Sequence, residues 1–125
     1  MNFYKLIAIG MGGFIGSIAR YIVVKTIDGR MQALFPYGTL MVNFLGSLLL
    51  GILYSLTLRK TGMSENWNLF LGVGVCGGFT TFSAFALENF NLLHQKIGIS
   101  LLYIITSIAA GLIAMAIGFL IGRSL

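Results

Sequence analysis

Polar side chains recur at helical spacing inside several hydrophobic stretches of this chain. In one stretch Thr39, Asn43 and Ser47 are four residues apart, which places them on one face of a helix. In a later stretch Tyr103 and Ser107 have the same spacing. A single Asn in such a setting most often hydrogen-bonds a neighbouring helix as packing glue. Polar faces on several helices instead predict a narrow polar path between them.

A ridge of phenylalanines follows a third stretch. Phe79, Phe82, Phe85 and Glu88 recur every three residues, and Ser83 lies beside them. Taken alone, such a ridge usually packs in a core. The edges of phenyl rings are electropositive, however, and therefore attract anions. Ring edges and hydrogen-bond donors together predict a site for a small anion that has lost its water; the predicted donors are Asn43, Ser83, Tyr103 and Ser107.

Other classes of function lack the residues that they need. The first hydrophobic stretch has no carboxylate and none lies deeper than Glu88, so a cation-driven exchanger is poorly equipped. His94 is predicted to lie in a loop, and the sequence shows no nucleophile–base pair or metal-ligand spacing, which predicts that the protein is not an enzyme. Arg20 either extends to the membrane interface or places a positive charge at an entrance.

Composition places the chain in the membrane. Hydrophobic residues make up 58% and charged residues 9%, against about 25% charged in a typical soluble domain. The net charge of +5 is scattered, which does not predict nucleic-acid binding and fits contact with anionic lipid headgroups. The single Cys76 excludes an intrachain disulfide. A single transmembrane domain covering residues 1–125 is predicted.

Four hydrophobic stretches are long enough to span a bilayer, for which a helix needs about 20 residues. The predicted spans are residues 3–24, 37–58, 67–93 and 97–121. The predicted connections are residues 25–36, residues 59–66 and a tight turn at residues 94–96. Pro36 stands just before the second span, where it can begin a helix. The sequence therefore predicts an all-α membrane protein with four transmembrane helices.

The centre of the third span is unlike an ordinary transmembrane helix. Gly77 and Gly78 are poor helix formers, and the β-branched Thr80 and Thr81 follow them. One interpretation is a helix that breaks at mid-membrane and whose carbonyls are satisfied by protein, water or an ion. The other is a close helix crossing at the glycines, and the residues alone favour neither. Other small residues at small-xxx-small spacing predict tight packing and oligomerisation: Gly12 with Gly16, Ser47 with Gly51, Gly74 with Gly78, and Gly118 with Gly122.

Charge gives little indication of orientation. With four spans, both termini lie on the side of Arg59 and Lys60. That side has four basic residues, and the other has three, or four if Arg20 reaches it. The positive-inside rule therefore predicts almost no preference for one orientation. Either other features fix one topology, or the chain inserts both ways, which would permit an antiparallel two-fold dimer.

Three motifs in chain order resemble the bacterial fluoride channels of the Fluc (CrcB) family. They are GGFIG through Arg20 and Tyr21 in the first span, GTLMVNFLG in the second, and GGFTTFSAF in the third. The resemblance covers most of the chain. Two positions depart from the family pattern: Ala84 stands where Thr is common, and Gly111 stands where a further hydroxyl would continue a polar track.

The resemblance implies a fluoride-selective channel that passively exports cytoplasmic fluoride across a bacterial inner membrane. It implies a dual-topology homodimer with two antiparallel pores. A structural Na⁺ is implied at the dimer centre, held by backbone carbonyls of Gly77 and Thr80 from both subunits. The implied pore residues are Asn43, Phe82, Phe85, Ser83, Tyr103, Ser107, Thr39 and Arg20. The alternative functions are a small dual-topology multidrug or cation exporter, which the missing first-span carboxylate disfavours, and a structural assembly subunit.

Overall fold

Helices make up all the regular structure in the part of the chain that is described. The computed structural model describes residues 1–59 and 63–125, and no strand occurs among them. The helices are α1 (Phe3–Met31), α2 (Tyr37–Leu58), α3 (Glu65–Asn68), a π-helical segment (Leu69–Cys76), α4 (Gly77–Phe79), α5 (Phe82–Gln95) and α6 (Ile97–Ser124).

Four helical stretches are long and apolar enough to cross a membrane: Phe3–Met31, Tyr37–Leu58, Glu65–Gln95 and Ile97–Ser124. The prediction of four spans in an all-α protein is therefore confirmed. The second span has the predicted bounds, and Pro36 precedes its first residue. The third span combines α3, the π-helical segment, α4 and α5.

The predicted connection at residues 25–36 is too long, because α1 continues seven residues past the predicted end of its span at Val24, to Met31. Its end is set by Gln32, whose left-handed backbone (φ 46°, ψ 37°) turns the chain while its amide donates to the Asp28 carbonyl. The Asp28 side chain accepts a 2.8 Å hydrogen bond from the Gly38 amide in the first turn of α2. The hydrophobic stretch of the sequence ends where the lipid ends, but the helix can continue into water, so hydrophobicity alone underestimates its length.

The remaining connections are short. Only Lys96 separates α5 from α6, so the turn predicted at residues 94–96 is tight but shorter than predicted. The prediction that His94 lies in a loop is wrong, because α5 continues through His94 to Gln95. Arg59, just after α2, donates to the carbonyls of Gly122 (3.3 Å) and Arg123 (2.9 Å) and so caps the end of α6. Lys60, which contributes to the predicted charge balance, lies outside the described residues.

Glycines let the spans pack closely, as their small-xxx-small spacing predicts. A Cβ on Gly12 of α1 would lie 2.9 Å from the Cα of Gly74 in the π-helical segment, and one on Gly78 would lie 2.6 Å from the carbonyl oxygen of Gly13. A Cβ on Gly118 of α6 would lie 2.9 Å from the Leu48 carbonyl carbon on α2. Since Cβ atoms essentially never lie this close, only glycine permits these crossings.

Candidate functional site

The third span is interrupted by two extended residues between α4 and α5. Thr80 has φ −82° and ψ 156°, and Thr81 has φ −151° and ψ 121°. The break was expected between Gly77 and Thr80; it begins only at Thr80, because Gly77 keeps helical angles (φ −63°, ψ −37°) and α4 continues to Phe79. Gly78 packs against Gly13, so Gly78 serves the helix crossing while the threonines form the break. A helix break and a close crossing are thus both present, each at different residues, and the position of the break at mid-membrane stays a prediction.

Asn43 on α2 binds the backbone of the break. Its Nδ2 donates to the Thr81 carbonyl at 3.1 Å, and its Oδ1 accepts from the Thr81 amide at 2.7 Å. The Thr81 hydroxyl in turn accepts from the Ala84 amide at 3.1 Å and caps the start of α5. Two-way pairing of this kind fixes the extended conformation. It leaves one N–H of the Asn43 side chain available to another acceptor.

Only part of the backbone at the break is satisfied by hydrogen bonds. The Cys76 carbonyl accepts from both the amide and the hydroxyl of Thr80, each at 2.9 Å. Arg20 donates from Nε to the Gly78 carbonyl at 3.1 Å. Besides the two predicted alternatives, the membrane interface or an entrance, Arg20 therefore has a third role in holding the backbone at the break. Within the described residues, the carbonyls of Gly77 and Thr80 accept no hydrogen bond.

A groove of about 370 Å³ lies beside the break, between α2, α5 and α6. It brings together four of the predicted pore residues and both predicted metal ligands: Asn43, Phe82, Phe85, Ser107, Gly77 and Thr80. Gly46, Ser47, Leu50, Gly72, Cys76, Thr81 and Ile108 complete the lining. Four of the eight predicted pore residues therefore share one groove in the structure, and the other four do not line it.

The two phenylalanine rings have different surroundings. Phe82 is 79% exposed, while the half-buried Phe85 packs on Tyr103 with ring centroids 5.2 Å apart. The centroids of Phe82 and Phe85 are 5.5 Å apart. Ser83 is exposed and does not line the groove, and its hydroxyl lies 3.3 Å from that of Thr81.

Thr39 and Tyr103 meet at Glu88 rather than in the groove. The Thr39 hydroxyl donates to one carboxylate oxygen at 2.6 Å, and the Tyr103 hydroxyl donates to the other at 2.7 Å. Both donor residues are fully buried. Glu88 was not among the predicted site residues, although it ends the phenylalanine ridge and is the deepest carboxylate. Its three-residue spacing from Phe85 was the available signal that it belongs with the site.

A second polar contact that sequence analysis missed ties α5 to α6. The buried Ser100 hydroxyl donates to Asn89 Oδ1 at 3.0 Å, and Asn89 Nδ2 donates to the Phe85 carbonyl at 2.9 Å. These bonds hold the turn that carries Phe85 against α6. In the described residues no group of His, Cys, Asp and Glu side chains could hold a metal, so the candidate ligands at the break are backbone carbonyls and threonine hydroxyls.

Comparison with known proteins gives a consistent result. The family model described as CrcB-like protein, Camphor Resistance (CrcB), matches residues 7–119. Relatives named fluoride-specific ion channel FluC come from Azobacteroides pseudotrichonymphae (41% identical over 118 residues, 94% of each chain), Flavobacterium psychrophilum (40% over 118 residues, 94% of this chain and 95% of the relative) and Agrobacterium fabrum (41% over 118 residues, 94% of each chain). The resemblance of the motifs is thereby confirmed. The chain belongs to the CrcB family and is a multi-pass membrane protein of a bacterial type.

Proposed function

We propose that this protein is a fluoride-selective channel that passively releases fluoride from the cytoplasm. The observation that carries the proposal is the groove in which Asn43, Ser107 and the two rings of Phe82 and Phe85 converge from separate spans. The relatives that match almost the full chain are named as fluoride-specific channels. A channel needs no catalytic group, in agreement with the expectation that the protein is not an enzyme.

The groove offers a dehydrated anion the partners that it needs. Asn43 has one side-chain N–H beyond the bond to Thr81, and the Ser107 hydroxyl is buried without a hydrogen bond of ordinary geometry. The edges of Phe82 and Phe85 add positive electrostatic potential without a formal charge. Several weak donors suit conduction, because the ion must be bound well enough to enter and weakly enough to leave.

Thr39 and Tyr103 occupy a different position on the proposed path. Their hydroxyls are committed to Glu88, so an ion at this level would have to replace a carboxylate oxygen as the acceptor. We therefore place them on the proposed path beyond the groove, past the rings. Arg20 binds Gly78 from the side of α1, and we assign its charge to the approach to the break. Ser83 lies outside the groove in the single chain, and we assign it to a pore wall completed by a second subunit.

We further propose an antiparallel homodimer with two pores and with the break of the third span at mid-membrane. The exposed Phe82 and the exposed Gly77 offer a second copy a surface beside the groove. The nearly balanced basic residues on the two sides allow insertion in both orientations. The two-fold axis would then lie in the plane of the inner membrane.

A structural Na⁺ fits this arrangement. The unpaired carbonyls of Gly77 and Thr80 are hard oxygen ligands, and two inverted chains would supply twice as many. A Cβ on Gly77 would meet no atom within 4 Å, so this side of the break is open to a partner. An alkali cation supplies positive charge, satisfies backbone that lipid would leave bare, and lowers the cost of a nearby anion.

The physical role follows from the chemistry of fluoride. In acidic surroundings fluoride crosses membranes as neutral HF, dissociates in the cytoplasm, and is trapped there as the ion. The membrane potential, negative inside, drives the anion out through a passive pore.

Fluoride efflux from liposomes tests the proposal. Purified protein would be reconstituted with internal fluoride, and release would be followed with a fluoride electrode after addition of a potassium ionophore. We expect fast release of fluoride and slow release of chloride from matched liposomes. Fluoride release at the rate of protein-free liposomes would refute the proposed function.

A further inference from the structure

The helices α2 and α6 run parallel and in register along the groove. Thr39 and Tyr103 lie at the same level, since both donate to the carboxylate of Glu88. Eight residues further along both helices, Ser47 and Gly111 face each other. Eight residues correspond to about 12 Å along a helix, so this second level lies about two turns away.

At this second level only α2 carries a hydroxyl. A Cβ on Gly111 would lie 4.0 Å from Ser47 Oγ, with no nearer neighbour. Ser47 lines the groove, and in the described part of the chain its hydroxyl makes no hydrogen bond. Thr57 on the same helix instead donates to the Leu53 carbonyl four residues earlier at 2.9 Å, as hydroxyls in helices commonly do. The Ser47 hydroxyl is therefore free to serve the groove.

A second uncommitted hydroxyl lies one turn away on α6. Ser107 Oγ is buried, lines the same groove and has no hydrogen bond of ordinary geometry, while the neighbouring Tyr103 hydroxyl is held by Glu88. A buried hydroxyl without a partner costs free energy. An anion in the groove would accept hydrogen bonds from both Ser47 and Ser107 and remove that cost.

We infer that Ser47 is an anion-contacting residue, and that it supplies from α2 the hydroxyl that Gly111 does not supply from α6. The inference rests on the proposed fluoride conduction and extends it to a position beyond Ser107. It assigns to Ser47 a role that packing alone does not explain, because the space between Ser47 and Gly111 is open. The groove requires a hydroxyl donor at this level, and either α2 or α6 can supply it.

Moving the hydroxyl across the groove tests this inference. Ser47→Ala should lower fluoride efflux from liposomes about tenfold, since a hydrogen bond to an ion is lost. Adding Gly111→Ser to that variant should restore efflux, because the site next to Gly111 has room for a side chain. Adding Gly111→Ala instead should not restore it, since alanine fills the space without a donor.

Ser55→Ala is the matched control. Ser55 lies on the same helix, packs against Gly122 of α6 and has a buried hydroxyl, but it does not line the groove. Its removal should leave fluoride efflux at the wild-type rate. Should Ser47→Ala fail to fold, Ser47→Thr and Ser47→Val provide a pair of similar shape that differs in the hydroxyl, and only the Thr variant should conduct.

Three results would overturn the inference while wild-type protein conducts fluoride: wild-type efflux in Ser47→Ala, equal restoration by Gly111→Ala and Gly111→Ser or by neither, or equal efflux in the Thr and Val variants. A wild-type protein that releases no fluoride would overturn the proposed function and this inference together. Measuring wild-type protein and the variants in the same liposome assay therefore distinguishes a failure of this inference from a failure of the proposed function.

Discussion

Asn43 and Thr81 are joined by two hydrogen bonds that run in opposite directions, with lengths of 3.1 Å and 2.7 Å. The amide of an Asn side chain thereby replaces a backbone partner that a continuous helix would have provided to the third span. This pairing makes Asn43 both a structural contact and a candidate donor to the groove. Interhelical glue and pore donor, which sequence alone treated as alternatives, are compatible in one residue.

Asn43→Asp tests whether Asn43 is a pore donor or only a polar contact between helices. The new carboxylate oxygen would face the Thr81 carbonyl in place of an N–H donor and would put negative charge beside the groove. We expect the free energy of unfolding to fall by about 1–3 kcal/mol and fluoride efflux to be abolished, while the proposed dimer still forms in size-exclusion chromatography.

Asn66→Asp is the control for this change. It adds the same charge at an exposed position in the first turn of α3, away from the groove, and should alter neither stability nor efflux. Fluoride efflux from Asn43→Asp at the original rate would exclude Asn43 as a pore donor.

The two rings are predicted to act on the ion more than on the fold. Phe82→Ile and Phe85→Ile keep apolar bulk but remove the electropositive ring edge, so each should slow fluoride efflux about tenfold, equivalent to about 1.4 kcal/mol in the barrier. Thermal stability should change little for Phe82, which is 79% exposed, and somewhat more for Phe85, which packs on Tyr103.

Phe14→Ile serves as the matched variant, because Phe14 is 67% exposed on α1 and does not line the groove. It should conduct like the wild type. A loss of thermal stability in the Phe82 and Phe85 variants without a loss of efflux per folded dimer would mean that the rings are core residues only.

Much of the fold is predictable from hydrophobicity alone. The bounds of α2 match the prediction, and Pro36 precedes its first residue, because proline at a helix start is a local feature. The turn before α6 was predicted at residues 94–96 and consists of Lys96 alone. The end of α1 is not predictable in this way, since it depends on Gln32 and on a bond from the Gly38 amide to Asp28. Contacts between separate elements leave no periodic pattern in the sequence.

The candidate site shows the same limit. Helical spacing predicted the face of Asn43 and the ridge of Phe82 and Phe85, which do meet in the groove. It gave no sign that Gly77 stays helical: a break was expected between Gly77 and Thr80, and of these residues only Thr80 is extended. It also left out Glu88, whose role appears only when Thr39 and Tyr103 from other helices reach it.

Orientation can be tested through charge. We expect reporters fused at the C-terminus to be found on both faces of the membrane, because basic residues are nearly balanced. Adding two lysines next to Arg59 should fix one orientation and abolish fluoride efflux from cells. Co-expression of an oppositely biased copy should restore it. A single orientation of the native chain would rule out the antiparallel dimer.

If the proposed Na⁺ is structural, fluoride efflux should require Na⁺, but Na⁺ itself should not cross the membrane. Replacing Na⁺ on both sides of the liposome membrane by N-methylglucamine should lower fluoride efflux, because the carbonyls of Gly77 and Thr80 would lose the ion proposed to bind them. Returning Na⁺ should restore the rate. Radiolabelled Na⁺ that crosses together with fluoride would contradict a purely structural ion.

The central claim is that fluoride passes down its electrochemical gradient through this protein, unaccompanied by another ion. Current through reconstituted protein in a planar bilayer, recorded under a fluoride gradient with chloride equal on both sides, measures this directly. We predict a current that reverses at the equilibrium potential of fluoride and stays there when pH or Na⁺ is made unequal across the bilayer. Fluoride movement without current, or a reversal potential that follows the proton or Na⁺ gradient, would contradict passive conduction.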